Sequence, residues 1–230
     1  LSQITGLTNA AQPWANIGKM ENMGFDGQFN YNQKIDQVDI TMRGNITYTR
    51  NKVLEYDEEA NALPYKMTQG YRWQQAKGLI ALGLFESYEE IRNSPKQEFG
   101  PYMPGDIKYK DLNGDGILDN NDRVYDPDGW HPAVPEIVYG FGFGADYKGF
   151  YINTFFQGAA NVTVNLNNYS ASFMPFHWGL IESNVRQEIV ESRWTQENPD
   201  PNAFFPRLRQ ANMGNSNTHS TFWYRSGNFL

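Results

Sequence analysis

From Asn22 to Ile35 the odd positions read Met23, Phe25, Gly27, Phe29, Tyr31, Gln33 and Ile35, and the even ones Asn22, Gly24, Asp26, Gln28, Asn30, Asn32 and Lys34. A period of two sustained over that length puts the two sets on opposite faces of a β-strand. After Asp36 and Gln37 the alternation resumes, with Val38, Ile40, Met42, Gly44, Ile46 and Tyr48 against Asp39, Thr41, Arg43, Asn45, Thr47 and Thr49. Strands near 22–35 and 38–50 joined by two residues predict a hairpin. A second hairpin is predicted at 136–147 and 150–157, where Ile137, Tyr139, Phe141, Phe143, Ala145 and Tyr147 alternate with Val138, Gly140, Gly142, Gly144 and Asp146, and Lys148-Gly149 make the turn. Its return strand alternates less cleanly, with Phe150, Ile152, Thr154 and Phe156 on one face and Tyr151, Asn153, Phe155 and Gln157 on the other. Residues 222–230 are the candidate fifth strand.

Two long stretches, 51–135 and 158–221, separate these strands. If the turns at Asp36 and Lys148 share one side of a sheet, both stretches emerge on the other, because each strand reverses direction. Short turns on one side and long loops on the other is the layout of an outer-membrane barrel. The long segments read as structured loops rather than core. Ser87-Tyr-Glu-Glu90 is a capping-box signature for a short helix through Arg92. Leu180, Ile181, Val185, Ile189, Val190 and Trp194 have helical spacing, which Asn198-Pro199 stops.

Composition narrows the picture. Among 230 residues, 19 Lys and Arg face 26 Asp and Glu, a net charge of −7, without a clustered basic footprint. Nothing there attracts a phosphate backbone, so nucleic acid is set aside. Cysteine is absent, which excludes disulfide scaffolds, thiolate metal sites and Cys nucleophiles. No apolar stretch approaches the roughly 20 residues of a membrane-spanning helix. Aromatic residues are 15% of the chain at a mean hydropathy of −0.66, so apolar surface is concentrated in rings, which favours β structure.

The sharpest chemical motif is Asp111-Leu-Asn113-Gly-Asp115-Gly-Ile117-Leu-Asp119-Asn-Asn-Asp122. Asp111, Asn113, Asp115, Asp119 and Asp122 fall at the oxygen-donor positions of a calcium loop, with the Ile117 carbonyl at the seventh position and Gly116 at the sharp turn. The departure is Asp122, one methylene shorter than the usual glutamate. A structural calcium ion that rigidifies a long loop is the expectation. An Asx-rich turn held by side-chain to backbone bonds is the alternative. His131, His177 and His219 have no metal-ligand spacing, Gly140, Gly142 and Gly144 lack the last glycine of a nucleotide loop, and Glu55, Asp57, Glu58 and Glu59 read as a solvated run. No catalytic residue is assigned, and the chain is expected not to be an enzyme.

Several separated motifs resemble one family in order. They are Asn16-Ile-Gly-Lys-Met-Glu-Asn-Met-Gly-Phe-Asp26, Pro104-Gly-Asp-Ile-Lys-Tyr-Lys-Asp-Leu-Asn-Gly-Asp-Gly-Ile-Leu-Asp119, Tyr139-Gly-Phe, Tyr147-Lys-Gly-Phe150, Phe156-Gln-Gly158 and Arg193-Trp-Thr-Gln-Glu-Asn-Pro199. Across almost the whole chain they are similar to the C-terminal part of SusC/RagA-type TonB-dependent transporters. The resemblance implies an all-β segment of a 22-stranded antiparallel transmembrane barrel, with long extracellular loops that contain short helices. It also implies the outer membrane of a Bacteroidetes-type Gram-negative bacterium, import of oligosaccharides or peptides, and a SusD-like surface lipoprotein as lid. The plug domain and the segment that meets the TonB complex have no counterpart in these residues. Five strands would leave two open edges, so a section of the barrel is expected. On that reading Phe25, Phe29, Val38, Ile40, Met42, Ile46, Tyr139, Phe141 and Phe143 face lipid, and Asn30, Asp39, Arg43 and Asn45 face a wet interior. Tyr31, Tyr48 and Tyr147 sit where an aromatic girdle would lie. Trp73, Trp130 and Trp178 are candidate stacking platforms for a ligand, with loop packing as the alternative.

The second reading is a secreted or surface β-sandwich that binds carbohydrate and carries a structural calcium loop. One-sided alternation suits it, but a sandwich needs many short strands at close spacing, whereas the clear strands here are few and the loops long.

Overall fold

The computed structural model describes residues 17–58, 63–125, 130–167, 185–208, 216 and 218–230. In chain order its elements are β1 (Lys19–Ile35), β2 (Val38–Glu55), β3 (Lys77–Gly78), β4 (Ala81–Leu84), α1 (Tyr88–Arg92), β5 (Lys96–Gln97), β6 (Ile107–Tyr109), β7 (Ile117–Leu118), β8 (Val124–Tyr125), β9 (Ile137–Tyr147), β10 (Phe150–Ala160), β11 (Thr163–Asn165), α2 (Gln187–Ser192) and β12 (Tyr224–Ser226). The chain forms two compact units, one of residues up to 75, 131–163 and 226–230, the other of residues 76–130 and 164–225.

The first unit is a four-stranded antiparallel sheet in the order β1-β2-β9-β10. Asp36 and Lys148 take positive φ values of 54° and 49°, and Gly149 follows at 85°, so each two-residue turn carries the left-handed backbone that a tight hairpin requires. The register puts like with like. Asp26 lies opposite Thr47, Gln28 opposite Asn45 and Asn30 opposite Arg43, while Phe25 meets Tyr48 and Phe29 meets Gly44. Thr47 Oγ1 donates to Asp26 Oδ1 at 2.6 Å, and Thr49 Oγ1 to Asn22 Oδ1 at 2.9 Å. On the other face, Phe141 stacks on Phe156 at 5.1 Å and Phe25 tilts against Tyr48 at 5.8 Å.

β1 and β2 run further than the alternation near 22–35 and 38–50, because Lys19–Asn22 continue the ladder with Asn51–Glu55 and because Val53 is tied at both ends of its peptide. Its N–H reaches Tyr71 O at 2.9 Å, and its carbonyl accepts from Gly70 N at 2.8 Å. Of the expected fifth strand only Tyr224–Ser226 is regular, while Phe229 bridges to Ala159 through two bonds of 3.0 Å.

The side chains on the apolar face of this sheet are exposed among the described residues. Phe25 and Phe29 are 59% and 58% exposed, and Phe141 is 46% exposed. A sandwich would bury that side against a second sheet.

The second unit corrects the reading of residues 51–135 and 158–221 as loops without core. Leu79, Leu84, Ile107, Tyr109, Leu118, Leu166, Ile189, Trp194, Phe205 and Trp223 form one buried cluster. Strands of two to four residues frame it: β3 pairs with β8 and β4 with β6, both antiparallel, and β5 with β7 in parallel. Trp223 is fully buried, and its Nε1 donates to Ser216 O at 2.8 Å. Ser87 caps α1 by accepting from Glu90 N at 3.1 Å. The Glu90 carboxylate accepts from Glu86 N and pairs with Lys108, each at 2.8 Å. Burial acts to raise the Glu90 pKa, but the Lys108 and Glu86 hydrogen bonds hold it below the usual carboxylate value. α2 is shorter than its apolar pattern, with Ile189 buried, Val190 exposed and Trp194 buried past the helix end; Leu180 and Ile181 lie outside the described residues.

Candidate functional site

The polar face of the sheet is the first feature with chemical capacity. Asp26, Gln28, Asn30, Arg43, Asn45 and Phe155 line an open concavity of about 530 Å³. Side-chain amides here supply both donors and acceptors, which suits ligands with many neutral polar groups. Asp39, named with Asn30, Arg43 and Asn45 for the wet interior, lies further along the same face opposite Asp146, and pairs with Lys34 at 3.4 Å.

At the end of the sheet away from its turns lies a carboxylate that sequence reading missed. Glu136 is buried, yet it pairs with Arg50 at 3.1 Å and Arg72 at 2.8 Å, lies 3.5 Å from His131 Nδ1 and accepts from Asn161 Nδ2 at 3.3 Å. A buried carboxylate needs such partners to remain charged. The cluster fastens the segments around 72 and 131–136 to β2. Burial, followed by the Arg72 charge, pushes the His131 imidazole below its ordinary pKa, against the pull of Glu136. Arg50, Arg72 and Asn161 are far from Glu136 in sequence, and no local motif announces the cluster.

The three tryptophans part ways. Trp73 is 43% exposed, its N–H donates to Asn51 Oδ1 at 2.6 Å, and its ring lies 6.1 Å from Tyr56. It lines a recess of about 240 Å³ with Met20, Asn51, Val134 and Pro135. Trp130 lies 5.7 Å from Tyr224, a packing contact. Trp178 lies outside the described residues.

The oxygen-rich loop is closed by its own hydrogen bonds. Asp111 accepts from Gly114 N at 2.7 Å and Gly116 N at 2.9 Å, Asn113 from Asp115 N at 3.1 Å, and Asp115 from Ile117 N at 2.8 Å. Asp119 accepts from Asn121 N at 2.6 Å. Asp122, fully buried, accepts from Leu112 N at 2.8 Å and Asp119 N at 3.0 Å. Among the described residues no three carboxylate or imidazole side chains converge on one point. The hydrogen bonds of the loop are the side-chain to backbone bonds of an Asx-rich turn, and each carboxylate keeps further lone pairs beyond them.

Comparison with known proteins bears on what this architecture is. The chain is 27% identical over 206 residues to TonB-dependent receptor P26 of Formosa agariphila, a match covering 85% of this chain and 19% of that protein. The RagAB peptide transporter superposes at a TM-score of 0.61 and 16% identity, over 92% of this chain and 21% of that one. The chain resembles a segment of a SusC/RagA-like TonB-dependent transporter. The RagAB peptide importer in its open-open state gives a TM-score of 0.58 at 16% identity, over 92% and 21% of the two chains. No family profile matches. The chain thus spans about a fifth of the length of these relatives. Its sheet has the fold of an arc of the RagA-like barrel, which accounts for strands with two open faces.

Proposed function

We propose that this chain forms an arc of the wall of an outer-membrane TonB-dependent transporter, moving solute by gated passage without breaking a bond. The observation that carries the reading is the uncovered apolar face of β1, β2, β9 and β10 set back to back with an equally open polar face. A barrel wall between lipid and a wet lumen is the setting in which both faces are satisfied. β9 and β10, at 11 residues each, match the roughly 9–11 residues with which a tilted strand crosses a bilayer. The 17 and 18 residues of β1 and β2 extend beyond the band at the end where the long connections begin.

Import of peptides or oligosaccharides, a SusD-like lipoprotein partner and coupling to TonB through the rest of the polypeptide follow from the family likeness. The solved relatives are described as peptide transporters, which favours peptides. Trp73, exposed beside an amide, is the better ligand-stacking candidate of the three tryptophans. Calcium bound to the Asp111–Asp122 loop would add a structural clamp to a turn already closed by hydrogen bonds. Elemental analysis of the native polypeptide and its Asp115→Ala variant tests this: loss of calcium in the variant supports the site, and equal calcium content excludes it.

The transporter reading is tested by the mass and detergent dependence of the native polypeptide that carries these residues. A polypeptide several times larger than 26.4 kDa, extracted from outer membranes only by detergent, agrees with it. A water-soluble 26.4 kDa protein contradicts it.

A further inference from the structure

Arg43 lies on the polar face, in a recess that Asp39 and Asp146 also line. Among the described residues no carboxylate forms an ion pair with it, whereas Lys34 holds Asp39 and Arg50 and Arg72 hold Glu136. Carbon and amide hold it instead. Its guanidinium carbon lies 5.0 Å from the centroid of the Phe155 ring, and Nη2 donates to Asn153 Oδ1 at 3.4 Å. The glycines of β9 make the room. A Cβ at Gly142 would stand 3.0 Å from Arg43 Nε, 3.1 Å from Phe155 Cδ2 and 2.7 Å from Thr154 O. One at Gly140 would stand 2.8 Å from Phe155 Cζ and 2.7 Å from Asn45 Oδ1. The guanidinium therefore lies over the ring in a trough that larger residues would fill.

Stacking uses the face of a guanidinium and leaves most of its edge N–H groups free, in the fork that matches two oxygens of one carboxylate. Asp26, the carboxylate on the wall of the same concavity, is engaged by Thr47 Oγ1 at 2.6 Å. We propose that Arg43 is a fixed oxyanion subsite on this wall, taking a carboxylate carried by the transported solute, with the amides of Gln28, Asn30 and Asn45 serving neutral polar groups beside it. The proposal rests on the polar face being the interior of a transporter.

The test is arginine footprinting of the detergent-solubilised native polypeptide with phenylglyoxal, mapped by mass spectrometry. Arg43 should be modified, and acetate and sulfate should each slow its modification about fivefold relative to chloride at equal ionic strength, as mass action gives when a weak ligand is in modest excess. Arg50 and Arg207, paired with Glu136 and Asp106, should stay unmodified throughout. Equal rates in all three salts, or protection by sulfate alone, overturn the carboxylate subsite. An unreactive Arg43, with Arg43→Gln lowering thermal stability, assigns the charge to another segment of the same polypeptide and also overturns it. The transporter reading fails by a different sign, solubility without detergent, and the footprint reads Arg43 in either case.

Discussion

The two units use the same kinds of side chain in opposite ways. In the unit of short strands, Trp223, Tyr109 and Phe85 are fully buried, and Phe85 stacks on Tyr102 at 5.6 Å. In the four-stranded sheet, Phe25, Phe29, Phe141 and Ile152 stand exposed in a continuous apolar field. The short-stranded unit, with its rings inside, solves its burial within itself. The sheet does not, and an uncovered apolar field of that extent marks a surface made for a non-aqueous neighbour. The register keeps that field free of charge while Asp26, Lys34, Asp39 and Arg43 collect on the reverse side. The contrast teaches that a ring's position has to be read together with what lies behind it.

That contrast is open to direct attack. The largest effect is expected from Trp223→Ala, which empties the centre of the buried cluster and should cost about 3–5 kcal/mol. Hydrogen exchange should then show lost protection at β4, β6 and β7 while β1, β2, β9 and β10 keep theirs; a uniform loss would mean that the two regions are not separately stabilised. Next is Phe29→Arg on the apolar face, expected to cost about 2–4 kcal/mol of folding stability in lipid vesicles, against a much smaller change for Asn30→Arg on the polar face. Equal costs at these neighbouring positions would erase the distinction between faces. Ser87→Ala removes the α1 cap and should cost about 1 kcal/mol, read as faster exchange confined to Tyr88–Arg92.

The smallest effect concerns pH. His219 in the short-stranded unit and His131 beside the sheet both have pKa values lowered, first by burial, then by Arg123 and Arg72 respectively. A histidine with a lowered folded-state pKa leaves stability complete above its unfolded pKa of about 6.5 and subtracts from it as pH falls toward the folded value. Thermal stability should therefore decline below about pH 6.5, and His219→Gln should flatten part of that slope. A slope unchanged in the variant would remove His219 from the account.

The hairpins were legible because their alternation persists over more than ten residues and the turn residues punctuate it. The core of the other unit was not, because β3 to β8 contribute two to four residues each, too few for any period to register. Leu79, Ile107, Leu166 and Trp223 meet only through the fold. The Glu136 cluster was hidden for the same reason, with Arg50 and Glu136 86 residues apart. The oxygen-rich loop was visible by spacing, whereas the backbone N–H groups that Asp111 and Asp122 accept from became visible only in the fold. Among the candidate stacking residues, Trp73 is exposed and Trp130 half-buried, a difference that comes from the neighbours each packs against.

The central claim is that the odd positions of β1 meet lipid and the even ones meet water. Spin labels placed singly at 25 to 32 in the native polypeptide, reconstituted in vesicles, test it through collision with oxygen and with a water-soluble nickel chelate. The account predicts a period of two, with oxygen contact at 25, 29 and 31 and nickel contact at 26, 28 and 30. Nickel contact at every position, or at none, would contradict it.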